Sequence, residues 1–150
     1  MKTVLAPLDF SPLSASVVKA AVALTRAIEG RLVLLHVVQP PVITSEYGAV
    51  MVNIQEIISV SEASAQKQLE QRTKRLAKAG LAISSSLLTG APVKCILAEA
   101  QSVKAAYIVI GSHGHNALYD LLVGSTAAGV IKRSPCPVLV VPPVKAKLKK

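Results

Sequence analysis

Five apolar runs alternate with segments of helical periodicity along this chain, and that alternation limits the fold more than any other feature. The runs are Thr3–Leu8, Arg31–Val38, Leu81–Leu88, Ala106–Ile110 and Pro137–Val141. Strands separated by helices argue for an α/β fold, a parallel sheet covered on both faces. Unbroken stretches such as Leu32-Val33-Leu34-Leu35 suit strands with no wet side. A hydrophobic share of 51% with only 3% aromatics leaves a core of Val, Leu, Ile and Ala. A length of 150 residues is enough for one domain with such a core.

The segments between the runs carry helix signals. Ser11 is placed to cap a first helix, with Pro12 in its first turn. Val17, Ala21, Leu24 and Ile28 then form an amphipathic stripe that stops at Gly30. A longer helix is expected from about Ile54 to Ala79, with Ile58, Ala65, Leu69 and Leu76 inward and Glu70 four residues before Lys74 outward. Gly90-Ala91-Pro92 precedes a short helix anchored by Ile96 and Ala100. The last helix covers Ser125–Arg133, where Gly129 has no explanation in local propensity and points to close packing. Gln39–Asn53 is long for a connection of this kind, a length associated with functional lids as well as with plain surface excursions.

Charge narrows the partners. The net charge is +9, but Lys145, Lys147, Lys149 and Lys150 supply four of those charges, leaving about +5 (9 minus 4) over the rest without a basic stripe. The run reads as a solvated, disordered tail over residues 144–150, and a nucleic-acid role is not expected. No apolar run approaches the ~18 residues of a membrane span, and the start of the chain lacks a signal-peptide layout. Cys95 and Cys136 form neither a disulfide framework nor a Cys-x-x-Cys pair. A soluble cytoplasmic protein is expected.

The chemistry concentrates in Ile110-Gly111-Ser112-His113-Gly114, followed by Gly124-Ser125-Thr126. Glycines after a buried strand let backbone N–H groups approach an anion, and a helix N-terminus adds its positive dipole end. Ser125 and Thr126 add hydroxyl donors. A lone Gly-x-x-Gly is a common turn, and the third glycine with its Ser-Thr step is what points to phosphate. The Rossmann Gly-x-Gly-x-x-Gly is absent, and at the Walker-like spacing of Gly124 and Gly129, Val130 and Ile131 stand where Lys and Ser/Thr are required. Asp9 ends the first strand. If the first and fourth strands are neighbours, Asp9 and the glycine loop face one crevice at the carboxyl ends of the strands. There Asp9 could accept from a ribose or a base amino group, or could serve the start of the following helix.

Taken together, Val4-Leu5-Ala6-Pro7-Leu8-Asp9, Leu35-His36-Val37, the glycine pattern and the closing Ile131-Lys132-Arg133-Ser134-Pro135-Cys136-Pro137 through Val141 resemble the universal stress protein family. The likeness runs to about Pro142, and the glycine pattern is similar to that of the ATP-binding members. It implies a single Rossmann-like domain over residues 1–143 with strand order 3-2-1-4-5. It further implies that Asp9 and the Val37 region hold adenine, with Pro7 nearby. Ile110, Gly111, His113 and Gly114 would approach ribose and phosphates, and Gly124, Ser125 and Thr126 the β- and γ-phosphates of ATP. Mg²⁺ would ride on the nucleotide without protein ligands. The last strand, Val138-Leu139-Val140-Val141, would be an apolar sheet edge covered by a second copy in a homodimer. His115 departs from the family, many of whose members carry Arg or Lys there. A largely neutral imidazole attracts phosphate less than a fixed cation, so weaker or more pH-dependent affinity is expected.

His36, inside an apolar strand, is read as a hydrogen-bonded structural residue. His113-x-His115 is a weak metal signal, and the adjacency of Ser112 and His113 does not make a triad. The function expected is an ATP-binding stress-response regulator acting on an unidentified protein partner, with at most slow hydrolysis. The competing readings are a nucleotide-independent dimeric adaptor and an ATP phosphohydrolase.

Overall fold

The computed structural model describes residues 1–41, 53–114 and 123–143; most of the 39–53 connection, His115 and the 144–150 tail lie outside them. The elements run β1 (Thr3–Pro7), α1 (Ser14–Ala27), β2 (Arg31–Val38), α2 (Ile54–Lys78), β3 (Ile83–Thr89), α3 (Pro92–Ser102), β4 (Ala105–Gly111), α4 (Ser125–Arg133) and β5 (Val138–Val141). The five strands form one parallel sheet in the order β3-β2-β1-β4-β5. Leu5 lies beside Val33 of β2 and Ile108 of β4, so β1 and β4 are neighbours and their carboxyl ends meet.

Alternation along the strands accounts for the unbroken apolar runs. Val4, Ala6, Leu32, Leu34 and Val109 point to the face covered by Val17, Val18 and Ala21 of α1 and Leu69 of α2. Leu5, Val33, Leu35, Ile108 and Ile110 point to the other face, against Ile96 and Ala100 of α3 and Ala127 and Val130 of α4. Both faces being dry over the inner strands, their positions can all be apolar, whereas β3 and β5 at the edges are only partly buried. Each fully buried Leu or Ile contributes about 1.5–3 kcal/mol of transfer free energy.

The helices follow from their stripes. Thr25, fully buried in α1, satisfies its hydroxyl by donating to the Ala21 carbonyl at 2.7 Å. Asn53 caps α2, its side-chain oxygen accepting from Glu56 N–H at 3.3 Å. On the wet side of α2, Glu70 accepts from Gln66 Nε2 at 3.0 Å. Gly129 does serve close packing: a Cβ there would lie 2.8 Å from Val93 Cγ2, so it brings α4 against α3. No helix among the described residues is long and apolar enough to cross a membrane.

One expectation needs correction. α1 begins at Ser14 with Leu13 as its N-cap, and Ser11 does not cap it. No side chain caps it: Ser14 N–H donates to the Ser11 carbonyl at 2.9 Å, while Asp9 Oδ1, ahead of the helix, accepts from Ser11 N–H at 2.9 Å and from Ser14 Oγ–H at 3.3 Å. The physical reason is that the charged acceptor holds Ser11 N–H in a turn ahead of the helix, which leaves that serine three residues before the first helical one.

Candidate functional site

In a sheet of this order the chain leaves β1 toward one edge and returns to β4 on the other side, which opens a crevice above their carboxyl ends. A cavity of about 760 Å³ lies there. Pro7, Asp9, Val37, Ile110, Gly111, His113, Gly114, Gly124, Ser125 and Thr126, all singled out from the sequence, line it together. Its volume is in the range of small-molecule sites, about 300–1,000 Å³.

The starts of α1, α3 and α4 border the cavity, through Ser14, Pro92 and Ser125. The N–H groups of a helix's first turn have no intrahelical acceptor and carry partial positive charge. At α1 the Asp9 carboxylate lies nearby, held by Ser11 N–H and Ser14 Oγ–H. At α4 the N-cap is Gly124, which has no side chain to cap with, and Ser125 and Thr126 follow it at the cavity wall. The crevice is therefore lined both by the carboxylate of Asp9 and by the anion-seeking start of α4.

Ser112 ties these parts together. Its N–H donates to the Val141 carbonyl at 2.9 Å, and its own carbonyl accepts from Gly124 N–H at 2.6 Å. Its buried hydroxyl lies 2.8 Å from His113 Nδ1 and holds that imidazole in place beside the cavity. Val93 and Pro92 of α3 complete a wall that no sequence motif announces. Ser11 Oγ is buried at the cavity lining and has no hydrogen-bond partner among the described residues. An orphaned hydroxyl of this kind is a group that a polar ligand could satisfy.

The glycines serve different ends. At Gly114 a Cβ would meet Asp9 Oδ2 at 2.8 Å, so the carboxylate rests against bare backbone. At Gly124 a Cβ would lie 3.2 Å from the Ser112 carbonyl oxygen. Gly111 makes room for α1: its Cβ position faces Leu13 Cδ2 at 2.9 Å and Val17 Cγ2 at 3.4 Å.

His36 is hydrogen-bonded, as its place in β2 suggests, with Nδ1 2.7 Å from the Leu8 carbonyl. Among the described residues no group of three His, Cys, Asp or Glu side chains could hold a metal ion.

A parallel sheet with a switch-point crevice, walled by a glycine-rich turn and helix starts, defines a doubly wound α/β domain. The chain belongs to the universal stress protein family, whose sequence profile matches residues 1–142. It is 32% identical over 142 residues to the universal stress protein YxiE of Bacillus subtilis, covering 91% of this chain and 96% of that one. The fold superimposes on MJ0577 of Methanocaldococcus jannaschii with a TM-score of 0.82 at 29% identity, covering 97% of this chain and 98% of that one. A universal stress protein solved in complex with cAMP is 27% identical, with a TM-score of 0.67 and coverage of 93% and 95%.

Proposed function

We propose that the crevice binds an adenine nucleotide, ATP with its Mg²⁺, and that occupancy makes the protein a regulatory switch. The observation that carries this is one cavity lined by both a carboxylate, Asp9, and the start of α4, whose N-cap glycine leaves it without a side-chain cap. In this reading Asp9, Pro7 and Val37 take the base, Ile110, Gly111, His113 and Gly114 the ribose and first phosphates, and Gly124, Ser125 and Thr126 the terminal phosphates. The family member solved with cAMP supports the adenine class. Mg²⁺ enters as the nucleotide's own counter-ion. Asp9 Oδ1 is engaged with Ser11 and Ser14, which favours a binding role over that of a general base. A nucleotide panel tests the reading: Mg-ATP is expected to bind at least about tenfold tighter than Mg-GTP, a difference of about 1.4 kcal/mol. Equal affinities would remove the role given to Asp9.

The switch needs a surface to act on, and the edge of β5 that no strand among the described residues pairs with is the surface we assign to a second copy. β5 pairs with β4 on one side. Leu139 in it and Ile131 in the helix before it are each 45% exposed. An unpaired apolar edge invites strand pairing. Sedimentation should show a dimer that Leu139→Lys converts toward monomer without changing the far-UV spectrum. A wild-type protein monomeric at micromolar concentration would contradict this assignment.

A further inference from the structure

We infer that His36 is a positioning residue for Asp9, acting through the residues on either side of it; the consequence for ligand binding rests on the nucleotide reading above. The β1–β2 register sets Pro7 beside Leu35, and one step on Leu8 N–H donates to the Leu35 carbonyl at 2.7 Å. The Leu8 carbonyl then meets His36 Nδ1 at 2.7 Å. A carbonyl oxygen only accepts, so Nδ1 carries the proton and His36 is the donor. Asp9 comes next in the chain.

After it, Phe10 adopts φ 60°, the left-handed region, which a bulky side chain rarely occupies. Backbone strain of this kind persists only where surroundings over-determine it, and it concentrates at functional sites. The surroundings are visible. The Phe10 ring stacks on the His36 ring, with centroids 4.3 Å apart and planes 22° from parallel. The Arg72 guanidinium covers Phe10 with its carbon 4.9 Å from the ring centroid, and Arg72 Nη1 donates to the Gln68 carbonyl of α2 at 3.4 Å.

His36 thus grips Leu8 by a hydrogen bond and Phe10 by its ring, and the residue between them is Asp9. The left-handed step at Phe10 turns the chain so that Ser11 N–H and Ser14 Oγ–H reach back to Asp9 Oδ1, while Oδ2 rests against Gly114. None of His36, Phe10 or Arg72 lines the cavity, so their influence on a ligand passes through Asp9.

The test pairs a ligand-free readout with a binding one. Amide exchange at Ser11, whose N–H is held by Asp9, is followed by NMR in wild type, His36→Ala and His36→Asn, with Ile108 as the core reference. Mg-ATP affinity is measured on the same proteins. His36→Ala should speed Ser11 exchange at least about tenfold with Ile108 unchanged, and weaken Mg-ATP by about tenfold. His36→Asn, which keeps a side-chain N–H near the position of Nδ1, should return both to within about threefold of wild type. Should His36→Ala not fold, Phe10→Leu removes the stacked ring and is expected to move both readouts the same way. Unchanged Ser11 exchange, or equal loosening of Ser11 and Ile108, would overturn the positioning role. If Ser11 responds as described but wild type binds no Mg-ATP, the positioning role stands and the nucleotide reading falls.

Discussion

Gly114→Val is expected to weaken Mg-ATP binding on the order of a hundredfold while leaving the sheet intact. The Cβ would arrive 2.8 Å from Asp9 Oδ2, closer than real Cβ contacts, and the two valine methyls crowd the same space. The backbone cannot yield cheaply, so the carboxylate swings away and gives up Ser11 N–H and Ser14 Oγ–H. Hydrogen bonds to a charged group contribute about 1.5–3 kcal/mol each, and losing one such contact to the ligand corresponds to roughly 10- to 100-fold in affinity. Because the substitution acts through Asp9, it should couple to Asp9→Ala. Titrating wild type, both single variants and the double variant should give losses that do not add, with a coupling of about 0.5–3 kcal/mol. Additive losses would mean that Gly114 acts independently of the carboxylate.

The second large effect is on stability and reaches the site indirectly. In Gly129→Val the new Cβ meets Val93 Cγ2 at 2.8 Å and Cγ1 at 3.2 Å. Those are branch atoms of a stiff β-branched side chain, which has little rotamer freedom to move aside. Replacing a helical glycine recovers less than about 1 kcal/mol of propensity, whereas overpacking a tight helix–helix contact costs about 1–3 kcal/mol. Overpacking wins, and a fall in Tm of about 2–8 °C is expected for a domain of this size. Since α4 carries Gly124, Ser125 and Thr126 at its start, pushing it off α3 should also weaken Mg-ATP. Adding Val93→Ala leaves Val93 Cβ as the nearest atom, 3.6 Å away, and should restore most of both losses. No recovery would place the fault elsewhere in α4.

Much of this was readable from residue order because the fold obeys simple patterns. Runs such as Leu32-Val33-Leu34-Leu35 announce strands buried on both faces, and Pro92 and Gly30 mark helix limits that the structure keeps close by. The cavity residues were also legible, since chain order places Asp9 and the glycine loop at strand ends and topology then brings the ends together. The start of α1 was not legible. Ser11 and Pro12 give the ordinary local signal for a helix start, but Ser11 N–H is tied to the Asp9 carboxylate in a turn that includes Phe10 at φ 60°, and the helix begins three residues later. No local preference predicts a left-handed phenylalanine; stacking on His36 from another strand supports it. Gly111 has a second role of this hidden kind. Its pattern points to the crevice, which it lines, but not to Leu13 and Val17 of α1, which fill the space a side chain would take. Gly129 could be flagged as needing a reason, but its partner Val93 lies in another helix and is visible only after folding.

The most direct test of the central claim is a calorimetric titration of nucleotide-stripped protein with Mg-ATP, with Gly124→Val run alongside. A Cβ at Gly124 would sit 3.2 Å from the Ser112 carbonyl oxygen and 3.6 Å from His113 Cα, so the variant disturbs the start of α4 and leaves Asp9 in place. Saturable binding on the order of micromolar in wild type, about −8 kcal/mol, with loss in the variant is the predicted result. No binding in wild type, or the same binding in both proteins, would contradict a nucleotide site at this crevice.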